Sequence, residues 1–145
     1  MVERLSGGCL CGAVKLTAIP TELQVGACHC SMCRHWSGGV FMAVGCGDTV
    51  QFEDEDSLGI YISSNWGERV FCKNCGSSLM WRSRDNQHQN VSMQVFDDPQ
   101  MFKFTNQYFV DIKPDNYSFA NVTNDMTEAE VMAMFAPSSE GDSHD

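Results

Sequence analysis

Residues 71–76 read FCKNCG, two cysteines with two residues between them and a glycine directly after. That spacing lets both sulfurs face one metal ion, and the glycine permits the left-handed backbone such a turn often needs. The same pattern can serve as a redox dithiol, but a thioredoxin-type site wants a strand leading into a helix. Here Ser78-Leu-Met-Trp81 follows and reads as another strand, which favours metal. A pair of ligands needs a second pair. Residues 7–12, GGCLCG, supply one, with Cys9 and Cys11 again between glycines. Cys9, Cys11, Cys72 and Cys75 together would close a tetrahedral structural zinc site, tying the first strand to a hairpin about sixty residues further on. Closing so long a loop is how a metal helps an open β-domain hold together.

Residues 27–39, ACHCSMCRHWSGG, carry three more cysteines, Cys28, Cys30 and Cys33. Three protein ligands with a vacant fourth position are the pattern of catalytic rather than structural zinc. The exchangeable ligand would be water, a substrate thiol or a substrate oxygen. Spacing leaves alternatives open. Cys46 could be the fourth ligand and close a second structural site, and His29 or His35 could bind instead. The three thiols could also be reduced and metal-free. His29, lying between two ligands, is expected to point away.

The chain has 145 residues, enough for one domain with a real core, and eight cysteines. Nine Lys and Arg against 19 Asp and Glu give a net charge of -10, which repels phosphate backbones and argues against nucleic acid as a partner. Glu53-Asp-Glu-Asp56 reads as a solvated turn, and the acidic stretch to Asp145 as a frayed tail. MVERLSGGCLCG lacks the layout of a secretory leader, and no apolar run approaches the ~18 residues of a membrane span. A cytoplasmic chain is expected, with no membrane partner. In a reducing compartment the cysteines are metal ligands, catalytic thiols or buried residues rather than disulfides.

Alternation predicts a mainly β domain, with strands at 13–18, 39–44, 49–52, 60–63, 78–81, 91–96 and 108–112, separated by Gly, Asp, Asn and Pro turns. A short helix fits Met32–Trp36, ended by Gly38-Gly39. Thr127-Glu-Ala-Glu130 fits a capping box, with Met126 and Val131 as its hydrophobic staple. That C-terminal helix should run to Ala136 and stop at Pro137. The expected organisation is one zinc-binding domain over 1–136 and a flexible acidic tail over 137–145.

These motifs resemble the glutathione-dependent formaldehyde-activating enzymes. The matching residues are GCLCGAV at 8–14, CHCSMCR at 28–34, Tyr61 with Ser63-Ser64, and RVFCKNCGS at 69–77 with Leu79. A weaker match follows in YFVDIKP at 108–114. The resemblance implies a zinc-bound β-tent of antiparallel sheets. It also implies two zinc ions per chain, a structural one on Cys9, Cys11, Cys72 and Cys75 and a catalytic-type one on Cys28, Cys30 and Cys33. The implied reaction condenses formaldehyde with glutathione to S-hydroxymethylglutathione, that of a carbon–sulfur lyase. The chain departs from the family pattern at Asn116, where many members have tryptophan, and at Phe96-Asp-Asp-Pro99, where a glycine-leucine stretch is frequent.

A substrate thiol entering the open position would lose its proton there and add to an aldehyde carbon, and His29, His35 or water would protonate the oxygen. Glutathione is anionic, so attraction must be local. Arg34 and Arg69 are the candidate substrate-binding residues, since guanidinium forks suit carboxylates. The alternative for each is a structural hydrogen bond or a surface position. The competing function is a zinc-stabilised binding module without catalysis. Trp36, Trp66, Trp81 and most methionines read as core or cleft wall, and Cys46 as a free thiol at a strand end.

Overall fold

Short apolar and small-residue runs form eleven strands in the computed structural model, which describes residues 2–135. The strands are β1 (Leu5–Gly8), β2 (Lys15–Ala18), β3 (Gln24–Cys28), β4 (Phe41–Gly45), β5 (Gln51–Phe52) and β6 (Leu58–Ile62), then β7 (Gly67–Cys72), β8 (Ser78–Ser83), β9 (Gln89–Ser92), β10 (Lys103–Tyr108) and β11 (Asn124–Met126). Two helices join them, α1 (Ser31–Ser37) between β3 and β4, and α2 (Glu128–Phe135) after β11. The tail expected at 137–145, and the stop at Pro137, lie outside the described residues.

The strands make two sheets. The smaller has the order β1-β2-β5 and is antiparallel. The larger has the order β11-β10-β3-β4-β9-β8-β7-β6. It is antiparallel from β3 to β6, whereas β10 runs parallel to both β3 and β11. The mixed edge arises because the chain leaves β9 in the sheet's middle and returns through two 3-10 turns, Met93–Val95 and Pro99–Met101, to the far side of β3.

Those turns also join the sheets. Gly7 bridges Phe96, and the Asp97 amide donates to Ser6 O at 3.0 Å. A methyl group on Gly7 would sit 2.2 Å from Val95 O, so this crossing admits no side chain. Both sheets bury their inner faces in one core, where Val14 and Leu16 of one layer meet Val70, Leu79, Met80 and Val91 of the other.

Where the structure departs from the sequence expectation, backbone chemistry gives the reason. Of the run 108–112 only Tyr108 is in a strand, as the last residue of β10: Phe109 turns into the left-handed region at φ 61°, and Val110–Ile112 form a 3-10 turn. The run 91–96 stops at Ser92, whose Oγ accepts from the Gln94 amide and caps the next turn. Strand β7 escaped the periodicity because both its faces are buried, with Val70 in the core and the charged Arg69 on the opposite face, against Cys33 and Trp36. The capping box is present: Thr127 N–H donates to Glu130 Oε1 at 2.8 Å and Glu130 N–H donates to Thr127 Oγ1 at 3.2 Å.

Gly7→Ala should therefore destabilise the metal-loaded protein more than Thr127→Ala, whose cap loss costs about 1 kcal/mol. Denaturant unfolding of both variants checks the order.

Candidate metal centres

The first centre is built from two facing turns. After β1, the Cys9 amide donates to Val14 O at 3.0 Å, and Gly12 at φ 85° lets the chain reverse. After β7, the Gly76 amide donates to Cys72 O at 2.8 Å, with Gly76 at φ 83°. The turns are stitched where the Leu10 amide donates to Ser77 Oγ at 3.0 Å. The Sγ atoms of Cys9, Cys11, Cys72 and Cys75 consequently lie within 4.8 Å of one another.

Their spacing tests the fit to zinc. Four sulfurs at ~2.3 Å from a tetrahedral ion sit about 3.8 Å apart. Cys9 Sγ to Cys11 Sγ is 3.7 Å and Cys11 Sγ to Cys72 Sγ is 3.9 Å, and all eight cysteines are free thiols. Neutral donors surround the sulfurs, as expected around thiolate ligands. The Val14 amide reaches Cys9 Sγ at 3.2 Å and Asn74 Nδ2 reaches Cys11 Sγ at 3.1 Å. The Ser77 hydroxyl and amide lower the Cys75 thiol to about 5, while burial pushes Cys72 up to about 11. A cation among these sulfurs would favour the thiolate form of the set.

The second centre sits where β3 gives way to α1. Cys28 ends β3, opposite Phe41 of β4 and Tyr108 of β10. Cys30 is the N-cap of α1, its sulfur accepting from the Cys33 amide at 3.3 Å, and Cys33 lies one turn on. Gly38 closes the helix in the left-handed region at φ 75°, its amide donating to Arg34 O. The three sulfurs lie within 4.8 Å of one another. The thiols of Cys28 and Cys33 hydrogen-bond to Cys30 and hold it down to about 2, while Cys28 is pushed far up by Cys30 first of all. One thiolate shared by three sulfurs is a ready seat for a dication.

No fourth protein ligand joins this group among the described residues. Cys46 is fully buried in the core, its Sγ donating to Val44 O at 3.5 Å, and burial pushes its thiol up to about 12. His35 turns back on its own helix, Nδ1 donating to Ser31 O at 2.8 Å.

His29 points away, as its position between two ligands suggested, into a network that sequence reasoning missed. Asp125 can only accept, so the Thr123 hydroxyl donates to its Oδ1 at 2.6 Å. Thr123 Oγ1 then accepts from Gln107 Nε2 at 2.9 Å, which leaves Gln107 Oε1 to accept from His29 Nε2 at 2.8 Å. His29 Nδ1 in turn accepts from the Tyr117 hydroxyl at 2.8 Å. The carboxylate thus sets the tautomer of a fully buried imidazole, and burial lowers its pKa. Only the weak motif at 108–114 hinted that this segment folds over β3.

The two arginines separate. Arg34 Nε donates to His29 O at 2.9 Å, bracing the start of α1. Arg69, placed by sequence beside the Cys72–Cys75 turn, reaches across to the other centre. Its Nη1 donates to Cys33 Sγ at 3.4 Å, its Nε to Ser63 Oγ at 3.4 Å, and its guanidinium lies 5.2 Å from the Trp36 ring centroid. A cleft of about 580 Å³ follows the same helix, lined by His35, Trp36, Phe41, Met42, Ser78 and Gln94. A larger cleft of about 870 Å³ lies beside the first centre, along Gly8, Cys9 and Leu10.

A sequence profile of the glutathione-dependent formaldehyde-activating enzymes matches residues 4–111. An uncharacterized lyase of Schizosaccharomyces pombe is 38% identical over 127 residues, covering 87% of this chain and 93% of that protein. A protein of Halomonas elongata bearing the family's name is 34% identical over 84 residues, 52% of this chain and 54% of its own. A crystal structure of a Rhodobacter sphaeroides protein superposes with a TM-score of 0.57 at 20% identity, over 70% of this chain and all of that one, a likeness of fold.

Metal analysis should find about two zinc ions per chain, unchanged in Cys46→Ser and reduced towards one in Cys28→Ser. In the metal-loaded protein at pH 8, Cys46 should resist alkylation, since its thiol stays protonated and buried; mass spectrometry of the labelled peptides reads this out.

Proposed function

The chain belongs to the glutathione-dependent formaldehyde-activating enzyme family, and on that premise we propose that it is a zinc-dependent carbon–sulfur lyase acting on a thiol–aldehyde adduct. The pair is glutathione with formaldehyde, joined as S-hydroxymethylglutathione, or a close relative of it. One observation carries this reading: four cysteines complete a tetrahedron, whereas Cys28, Cys30 and Cys33 leave one corner without a protein ligand among the described residues.

A zinc ion on those three sulfurs would supply the acidity that strips a thiol of its proton at the fourth corner. The remaining work falls to the chain. Cys30 and Cys33 are carried by the first turn of α1, so the helix orients two of the three ligands together. Three anionic sulfurs weaken any Lewis acidity, which makes positioning of the thiol the larger contribution. When sulfur adds to the aldehyde carbon, the oxygen must gain the proton that the thiol gave up. His29 is unsuited to deliver it, because both ring nitrogens are already engaged. His35 keeps Nε2 free at the cleft along α1 and is the candidate shuttle, with solvent as its partner. Arg34, which among the described residues commits only Nε, is the candidate contact for a carboxylate of the thiol substrate.

The test is exchange spectroscopy on glutathione plus formaldehyde, with and without protein. Interconversion of the free aldehyde and the adduct should run faster than the uncatalysed exchange, and Cys28→Ser should return it to the uncatalysed rate. No acceleration with glutathione or any other thiol–aldehyde pair would leave a zinc-stabilised binding module instead.

A further inference from the structure

Among the described residues Arg69 is the buried arginine or lysine, 4% exposed, on the central part of β7. Burying a guanidinium costs free energy unless a counter-charge meets it. Among the described residues no carboxylate does: the ion pair found on this strand joins Arg82 to its neighbour Glu68 at 2.8 Å. Arg69 instead points Nη1 at Cys33 Sγ, rests on Trp36 and spends Nε on the Ser63 hydroxyl. Buried, with Nη1 and Nε turned to Cys33 and Ser63, the guanidinium is poorly placed to grip the carboxylate of an incoming substrate.

The charge balance of the second centre supplies the missing partner. Three thiolates around a dication leave one net negative charge, and an incoming thiolate raises it to two. The first centre carries its excess charge differently, next to solvent at the exposed Cys11 and under neutral N–H donors. The second is more enclosed, and the full cation stands there.

We propose that Arg69 is the built-in counter-ion of the Cys28–Cys30–Cys33 centre, a positioning residue that lets the centre accept an anionic sulfur ligand. This rests on the reading of that centre as an open metal site. Arg69 thereby acts on the sulfur end of the substrate and not on its carboxylates. Since the guanidinium is always charged, the field it sets persists at any working pH.

Cobalt(II)-loaded protein tests this by its thiolate charge-transfer and d–d absorption, without turnover. Wild type, Arg69→Gln and Arg69→Lys are titrated with 2-mercaptoethanol, which has no carboxylate, with glutathione, and with neutral imidazole. Loss of the charge in Arg69→Gln should weaken both thiols about tenfold or more, and imidazole less than about twofold. Arg69→Lys, which keeps the charge, should hold thiol binding within about threefold of wild type. An unchanged affinity for 2-mercaptoethanol overturns the proposal, as does a loss confined to glutathione, which marks a carboxylate contact. Equal loss of thiols and imidazole overturns it too, as a structural role. Should Arg69→Gln fail to fold, Arg69→Met, which also removes the charge, decides by the same thiol-to-imidazole comparison. Two cobalt ions per wild-type chain with no charge effect sinks this inference alone; one cobalt per chain sinks the functional reading with it.

Discussion

The structure depends on the meeting of two short turns that carry Cys9–Cys11 and Cys72–Cys75. These turns stand about sixty residues apart in the chain, yet their sulfurs approach at tetrahedral-edge distances. An ion shared by the four sulfurs would offset the entropy of closing that loop and the repulsion among them together. The turns also set the relation of the sheets, since β1 belongs to the smaller one and β7 to the larger.

The second centre borrows rigidity from the same frame. β3 is central in the larger sheet, flanked by β4 and β10, so Cys28 has little freedom. α1 then leaves the sheet with Cys30 and Cys33 in its first turn, and Ser78 of β8 hydrogen-bonds to its far end at Trp36 O. β7, which ends in Cys72 of the first centre, carries Arg69 to Cys33. One strand thus joins the two centres: a shift in its register at the first centre would move the cation at the other site.

Much of the architecture was legible because its signals are local. The cysteine pairs announce themselves by spacing, and the glycines after them by the backbone that a reversing turn demands. Strands β2, β4, β5, β6 and β8 follow from alternation, and the capping box of α2 from Thr127 and Glu130. Legibility failed where a local rule was overruled from afar. β1, with Gly7 and Gly8, has hardly any side chains to alternate, because backbone from Val95 and Phe96 fills the space. β10 and β11 have polar residues along their length, explained only by Gln107 and Asp125 joining the His29 network.

By itself the sequence determined which cysteines form sets and that the domain is β-rich, since those facts reside in spacings of a few residues. Tertiary structure decided what surrounds the sets. It sequestered Cys46, committed both nitrogens of His29 to partners 78 and 88 residues distant, and brought Arg69 to a sulfur 36 residues away. Contacts of that separation leave no periodic trace in the chain. They exist only once the sheets have closed, and they set which side chains surround the three-sulfur centre.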